Sequence, residues 1–275
     1  MGLSIGSTAR LANGVEMPRL GLGVWQAKRG GETKGAVRAA LEVGYRHIDT
    51  ARIYNNEEDV GAAIRESGLA RSDVFVTTKL WNDDQGYDSA LRACDASLAR
   101  LGLDHIDLYL IHWPVANKRL DSWRALEKLL EDGKCRAIGV SNYYVRHLDE
   151  VLAHAKVVPM VNQVEQHPFL YLPKLNAKCR EHGIIVEAYS PLTKGMRIDH
   201  PALVGIAREH ERSPAQILIR WCLQHDLVVL PKSVRPERIR ENASVFDFEI
   251  SESDMKRLDA LDEQLHTAWD PSTAP

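Results

Sequence analysis

Cysteine is scarce in this chain, and Cys94, Cys135, Cys179 and Cys222 stand roughly 40 residues apart with no C-x-x-C pair or closely spaced histidine partner. That spacing excludes a disulfide scaffold and a zinc ribbon, and it suits free thiols in a reducing cytosol. Runs of like charge are missing too. The 35 basic and 38 acidic side chains leave a formal charge of -3, which makes nucleic acid and anionic membrane poor partners. No apolar run is long enough to span a bilayer. No H-E-x-x-H occurs, and His147 and His154 fall in an ordinary amphipathic segment, so no metal is expected. The opening Met1-Gly2-Leu3-Ser4-Ile5-Gly6 has neither a basic start nor an apolar core, and the expected location is the cytoplasm. Without a secretory signal, Asn242-Ala243-Ser244 reads as a chance match to a glycosylation acceptor.

Two nucleotide-binding glycine motifs are absent as well. Gly21-Leu22-Gly23 is followed by Gln26 where a Rossmann fingerprint needs a third glycine, and no Walker loop occurs. What is present is a regular alternation of strand-like and helix-like segments. Asn13-Gly14 between short extended arms predicts a tight opening hairpin. Eight strands are then expected at 20–22, 46–48, 74–78, 106–111, 136–140, 160–165, 184–189 and 227–230. Helical patterns lie between them at 57–67, 89–101, 122–131, 145–155, 173–182 and 214–225, with apolar residues recurring mostly at three and four. Asn56 and Ser213 are expected as N-caps, and Gly68 and Gly183 as stops. Continuous apolar strands point to a parallel sheet covered by helices, and the count of eight predicts a closed (β/α)8 TIM barrel, with a doubly wound open sheet as the competing architecture. The 275 residues are read as one domain, ending in an extra helix over 251–265 and a loose tail over 266–275.

Polar residues punctuate the strand ends. Asp49, Lys79 and His112 follow three successive strands, and Tyr54 lies just beyond the first of them. Strand ends are often polar in any protein, but in a barrel the carboxyl ends converge on one mouth, where catalysis is found. The types suit carbonyl reduction. Hydride addition leaves an alkoxide that must be protonated, and Tyr54 is the natural donor. A phenol titrates near 10, so turnover at neutral pH asks for lowering by up to ~3 units, roughly 4 kcal/mol. One ammonium about 4 Å away is worth on the order of 4 kcal/mol at an effective dielectric near 20. Lys79 is therefore expected to tune Tyr54, with Asp49 holding Lys79, while a neutral His112 orients the substrate oxygen. Trp25, Trp81 and Trp113 offer flat apolar walls for a small carbonyl substrate. After the last strand, Lys232 and Arg238 could clamp a 2′-phosphate, favouring NADPH over NADH, with Glu241 and Asn242 following at helical spacing.

Taken together, Gly44-Tyr45-Arg46-His47-Ile48-Asp49-Thr50-Ala51 with Tyr54, Thr77-Thr78-Lys79-Leu80-Trp81, Leu110-Ile111-His112-Trp113-Pro114, Ile138-Gly139-Val140-Ser141-Asn142, Asn162-Gln163 and Pro231-Lys232-Ser233 resemble the aldo-keto reductase superfamily, in order and over most of the chain. The resemblance implies Asp49, Tyr54, Lys79 and His112 as the catalytic four. It implies Ser141, Asn142 and Gln163 at the nicotinamide carboxamide, and Tyr189 stacked on the nicotinamide ring. Ser190 and Leu192 would lie beside the pyrophosphate, and Lys232, Ser233, Val234, Arg238, Glu241 and Asn242 at the adenosine and 2′-phosphate end of NADPH. Gly23-Val24-Trp25-Gln26-Ala27 and Leu80-Trp81-Asn82-Asp83-Asp84 look most like bacterial 2,5-diketo-D-gluconate reductases, several of which carry tryptophan where this chain has Tyr189. The implied substrates are 2,5-diketogluconate, methylglyoxal or β-keto esters, handled by a monomer. The short 113–120 connection and short tail imply an open mouth. A rival function is a cofactor-binding sensor with slow turnover, like the potassium-channel β-subunits that resemble the superfamily. A barrel hydrolase using paired carboxylates is a third, and it leaves Lys232 to Asn242 unexplained.

Overall fold

The computed structural model describes residues 2–274. An antiparallel hairpin, β1 (Thr8–Arg10) and β2 (Glu16–Pro18), precedes eight parallel strands: β3 (Leu22–Gly23), β4 (His47–Asp49), β5 (Phe75–Leu80), β6 (Ile106–Ile111), β7 (Cys135–Ser141), β8 (Val161–Glu165), β9 (Ile185–Tyr189) and β10 (Val228–Leu230). Each pairs with the next in chain order. Parallel bridges from Leu20 to Val229 and from Gly23 to Lys232 join the last strand to the first, with Gly21 N donating to Val229 O at 3.0 Å. That closure makes the sheet a (β/α)8 barrel and rules out the open doubly wound alternative.

The wrapping helices are α1 (Gly31–Val43), α2 (Glu57–Glu66), α3 (Tyr87–Leu101), α4 (Arg119–Glu131), α5 (Val145–Leu152), α6 (Pro173–Glu181), α7 (Pro201–Glu209), α8 (Pro214–Gln224), α9 (Pro236–Ala243) and α10 (Glu252–Asp259). Ser213 caps α8 as expected. Its hydroxyl accepts from Gln216 N at 3.3 Å while Gln216 Oε1 accepts from Ser213 N at 2.9 Å. Asn56 holds the N-cap position of α2, but its side chain makes no capping bond. Its amide is drawn inward, donating to Val24 O at 3.0 Å and accepting from Thr50 Oγ1 at 2.7 Å. Glu57 is likewise buried, taking Thr78 Oγ1 and Arg100 Nε at 2.6 Å each. The opening turn is looser than a two-residue hairpin. Leu11 N and Val15 O close it at 2.9 Å, and Gly14, not Asn13, takes the left-handed conformation at φ 87. The extra helix stops at Asp259, short of the expected 265.

The strands are not uniformly apolar, as the sequence reading had them; they alternate. Ile48, Val76, Tyr109, Ile138, Val140, Val164, Ala188 and Val229 join the large core shared with the helices. The opposite-facing set begins as a second apolar cluster, where Phe75, Leu108, Ala137, Val161 and Val228 pack with Ala9, Leu11 and Met17 of the hairpin segment. The hairpin therefore plugs the amino-terminal end of the barrel. Further along β4, β5, β7, β8 and β9 the same face turns polar, with His47, Thr77, Gln163 and Glu187, and then Asp49, Lys79, Ser141 and Glu165. Polar side chains are thus concentrated toward the carboxyl mouth, where a period of two continues the inner face.

Candidate active site

One cavity of about 1020 Å³ opens at this mouth. Its walls bring together Asp49, Tyr54, His112, Trp25, Trp81 and Trp113. Ser141, Asn142, Gln163, Tyr189, Ser190 and Leu192 line the same cavity, as do Lys232, Ser233, Arg238, Glu241 and Asn242. Two expected site residues stand off the wall. Lys79 is fully buried behind Asp49, and Val234 packs on the helix-side core.

The strand register explains the polar cluster. Asp49 ends β4 and Lys79 lies near the end of the adjacent β5. Both Asp49 oxygens accept from Lys79 Nζ at 2.7 Å, and Thr50 O takes its third bond at 2.9 Å. The ammonium is thus fully satisfied without a direct bond to Tyr54, whose ring centre lies 5.2 Å from Nζ. This reverses one expectation. Burial, reinforced by Asp49 and Glu187, holds the Tyr54 phenol well above its ordinary range. Lys79 does not lower it, because Asp49 neutralises the ammonium at closer range. A tightly held proton still suits a donor to an alkoxide, which is a much stronger base than a phenolate.

His112 is neutral, as expected: burial, and then the Lys79 charge, hold it well below the usual imidazole range. Its ring meets Tyr54 and Trp81 edge-on at 5.8 and 5.3 Å. Asn142 carries a left-handed backbone at φ 65, which turns its side chain back under the mouth. There it donates to His112 O at 2.9 Å and Ser141 Oγ at 3.1 Å, and it accepts from Tyr189 OH at 2.8 Å. The Tyr189 ring is therefore pinned at its hydroxyl. On the same cavity wall, Lys232 and Arg238 form no ion pair among the described residues. They flank the start of α9, so positive charge and helix dipole act together there.

Several wall residues escaped the sequence reading. Lys194, held above the Trp25 ring at 4.5 Å, bridges two loops across the rim. The tail is not loose. Thr267 N donates to Glu165 at 3.0 and 3.1 Å, Ala268 N at 3.1 Å, and the Thr267 hydroxyl also bonds that carboxylate. This latch sets Trp269 against Trp113, with ring centres 5.1 Å apart, so the mouth is narrower than its short loops imply. Burial raises the Glu165 carboxyl, but the neighbouring His167 imidazole, 3.6 Å away, and bonds from Thr267 and Ala268 outweigh it and hold the group below the usual carboxylate range. Glu187, buried beneath Asp49, was also missed. A histidine or acid inside a strand gives no local sign of which way it faces.

A closed parallel barrel with an acid, a buried ammonium, a phenol and a neutral imidazole at its carboxyl mouth is built as a (β/α)8 oxidoreductase. The aldo/keto reductase family profile matches residues 19–263, and the chain belongs to that family. It is 52% identical over 271 residues to the glyoxal reductase of Bacillus subtilis strain 168, covering 98% of both chains. It is 49% identical to the morphine 6-dehydrogenase of Pseudomonas putida, covering 95% of this chain and 93% of that one. Among solved structures, the aldo-keto reductase MGS-M4 from a Medee basin deep-sea metagenome library superposes with a TM-score of 0.92 at 47% identity, covering 94% of this chain and 96% of that one. The protein is an oxidoreductase of the carbonyl-reducing kind.

Proposed function

We propose that the protein reduces small aldehydes and ketones to alcohols with NADPH, with compounds of the 2,5-diketogluconate, methylglyoxal or β-keto ester type as the substrate class. The observation that carries this reading is one cavity whose walls hold both a proton donor, Tyr54, and two cations, Lys232 and Arg238, that form no ion pair among the described residues. The residues fit the cofactor. A phosphate at Lys232 and Arg238 would meet two cations that form no ion pair among the described residues, and the pinned Tyr189 ring offers a flat face on the cavity wall. Gln163, Ser141 and Asn142 would hold the carboxamide, Ser190 and Leu192 would flank the pyrophosphate, and Ser233, Glu241 and Asn242 would hold the adenosine. Bound NADPH supplies hydride to the carbonyl carbon.

The chain's own groups do the rest. Tyr54 donates its proton to the carbonyl oxygen, and neutral His112 hydrogen-bonds that oxygen and sets its direction. The Asp49–Lys79 pair fixes the floor under Tyr54. Trp25, Trp81 and Trp113 exclude water and confine a small substrate. The reducing cytoplasm is in keeping with four buried, free thiols, and the protein acts there as a monomer. The relative named glyoxal reductase favours short dicarbonyls within this class.

The test is NADPH oxidation followed by absorbance with glyoxal, methylglyoxal, 2,5-diketogluconate, a β-keto ester and an aromatic aldehyde, with NADH alongside. Turnover with a clear preference supports the reading; tight NADPH binding without turnover on any compound points to a sensor. Tyr54→Phe should reduce kcat by about 100-fold or more while leaving NADPH affinity near that of the native protein. Equal turnover in that variant would remove Tyr54 from the mechanism.

A further inference from the structure

We propose that Glu187 is a positioning residue that locks the Gln163 amide in one orientation, leaving its carbonyl oxygen to face a nicotinamide carboxamide; the inference rests on the cofactor reading above. Gln163 Nε2 lies 2.8 Å from Asp49 Oδ2 and 2.7 Å from Glu187 Oε2. Asp49 is engaged by the Lys79 ammonium through both oxygens and offers Gln163 only an acceptor. The atom placed between the two carboxyls must therefore be the amide nitrogen, since a carbonyl oxygen there would face the carboxylate in repulsion. A primary amide has two N–H groups, and both are now used. Gln163 lines the cavity, so the end left for a ligand is its carbonyl oxygen, which accepts an N–H and cannot donate.

Asp49 excludes the flipped amide, and Glu187 fixes how far the amide is turned. With Asp49 alone, one N–H is anchored and the terminal torsion of the side chain, broad and two-fold, can still turn. With Glu187 as well, the amide is held at two points. The acid is costly where it stands. Burial and then the Asp49 carboxylate push Glu187 up to about 8, so it carries a proton at neutral pH. The groups facing it are few. Across the barrel, His47 Nε2 lies 3.7 Å from Glu187 Oε1 and bonds Thr77 Oγ1 at 2.9 Å. Burial holds that imidazole down to about 4, so it is neutral. Asp49 and Lys79 form their own pair, and Tyr54 keeps its proton. A neutral acid beside a neutral histidine adds no charge to the site, and its one hydrogen bond to a cavity residue goes to Gln163.

The test is equilibrium binding of NADPH and of its 3-acetylpyridine analogue, which has a methyl ketone in place of the carboxamide and no N–H to offer. Tryptophan fluorescence reads both in the native protein and in Glu187→Met, Glu187→Asp and Glu187→Gln, after each is shown to be folded by thermal unfolding. The native protein should prefer NADPH by roughly fivefold or more, the worth of one net hydrogen bond. Glu187→Met should lose most of that preference through weaker NADPH binding alone. Glu187→Asp, still an acid but one methylene short of Gln163, should do the same and carries the test if the Met variant does not fold. Glu187→Gln, whose carbonyl can accept the same bond, should restore it. A native preference retained in the Met or Asp variant, or equal losses for both ligands, would overturn the proposal. Failure of the native protein to bind either dinucleotide would instead remove the cofactor reading, and this inference with it.

Discussion

Replacing Asp49 with asparagine preserves the shape of the side chain and deletes its charge, and the geometry sets the consequence for Tyr54. In the native protein both Asp49 oxygens lie 2.7 Å from Lys79 Nζ, while the Tyr54 ring centre is 5.2 Å from that nitrogen. The carboxylate therefore cancels most of the ammonium's field at the phenol. In Asp49→Asn a uncompensated unit charge 5.2 Å from the ring favours the phenolate by about 3 kcal/mol at an effective dielectric near 20, or roughly 2 pKa units. Loss of Asp49 also removes one of the groups that hold the phenol high. A proton donor works only while protonated, so reduction is lost as pH rises through its pKa. The native kcat should stay level well into the alkaline range, and the alkaline limb of Asp49→Asn should lie roughly 2 units lower. Breaking a buried ion pair also costs about 3–5 kcal/mol of stability, so the profile must be taken far below the variant's unfolding temperature. The assay is kcat against pH from about 6 to about 11 with a saturating small aldehyde. A folded variant whose alkaline limb is unmoved, or moved upward, would refute the argument that Asp49 shields Tyr54 from Lys79.

Two further outcomes follow from the cavity's other walls. Arg238→Ala should weaken NADPH about tenfold or more and NADH far less, because an unpaired guanidinium on the cavity wall has only a 2′-phosphate to distinguish the two; equal losses measured by fluorescence titration would count against the clamp. Glu165→Gln should loosen the tail, raising hydrogen exchange at Thr267 and Ala268 and lowering stability by about 1–3 kcal/mol. Because Glu165 is held below its unfolded value, its contribution is present above the ordinary carboxylate range and is lost as pH falls through the lowered folded value. Protection of the tail amides in the native protein, measured against the intrinsic exchange rate at each pH, should therefore fall only in acid, and unchanged exchange in the variant would show that the latch is not what seats Trp269.

Much of this architecture is local and can be read along the chain. Short apolar runs and period-three-to-four patterns mark eight strands and most of their helices, and Ser213 before Pro214 announces its own cap, because a cap and an amphipathic face involve residues within a few positions of each other. Asp49, Lys79 and His112 stand out for the same reason, each being a polar residue that ends an apolar run. Other features depend on contacts between distant parts of the chain. Asn56 looks like a helix cap until Val24 and Thr50 are brought to it, and Glu57 looks like a dipole partner until Thr78 and Arg100 enclose it.

The sequence by itself determined the family, the strand count and the chemical types at the mouth. The tertiary structure decided what those groups do to one another. Gln163 and Asp49 are 114 residues apart, and Glu165 and Thr267 are 102 apart, so neither contact leaves a trace in any local pattern. Whether Lys79 spends its charge on Tyr54 or on Asp49 depends on distances of a few ångströms between neighbouring strands, and electrostatic energy varies steeply over that range. Pairing of β8 with β9 sets Glu187 opposite Gln163, and only docking of the tail places Trp269 on the cavity wall.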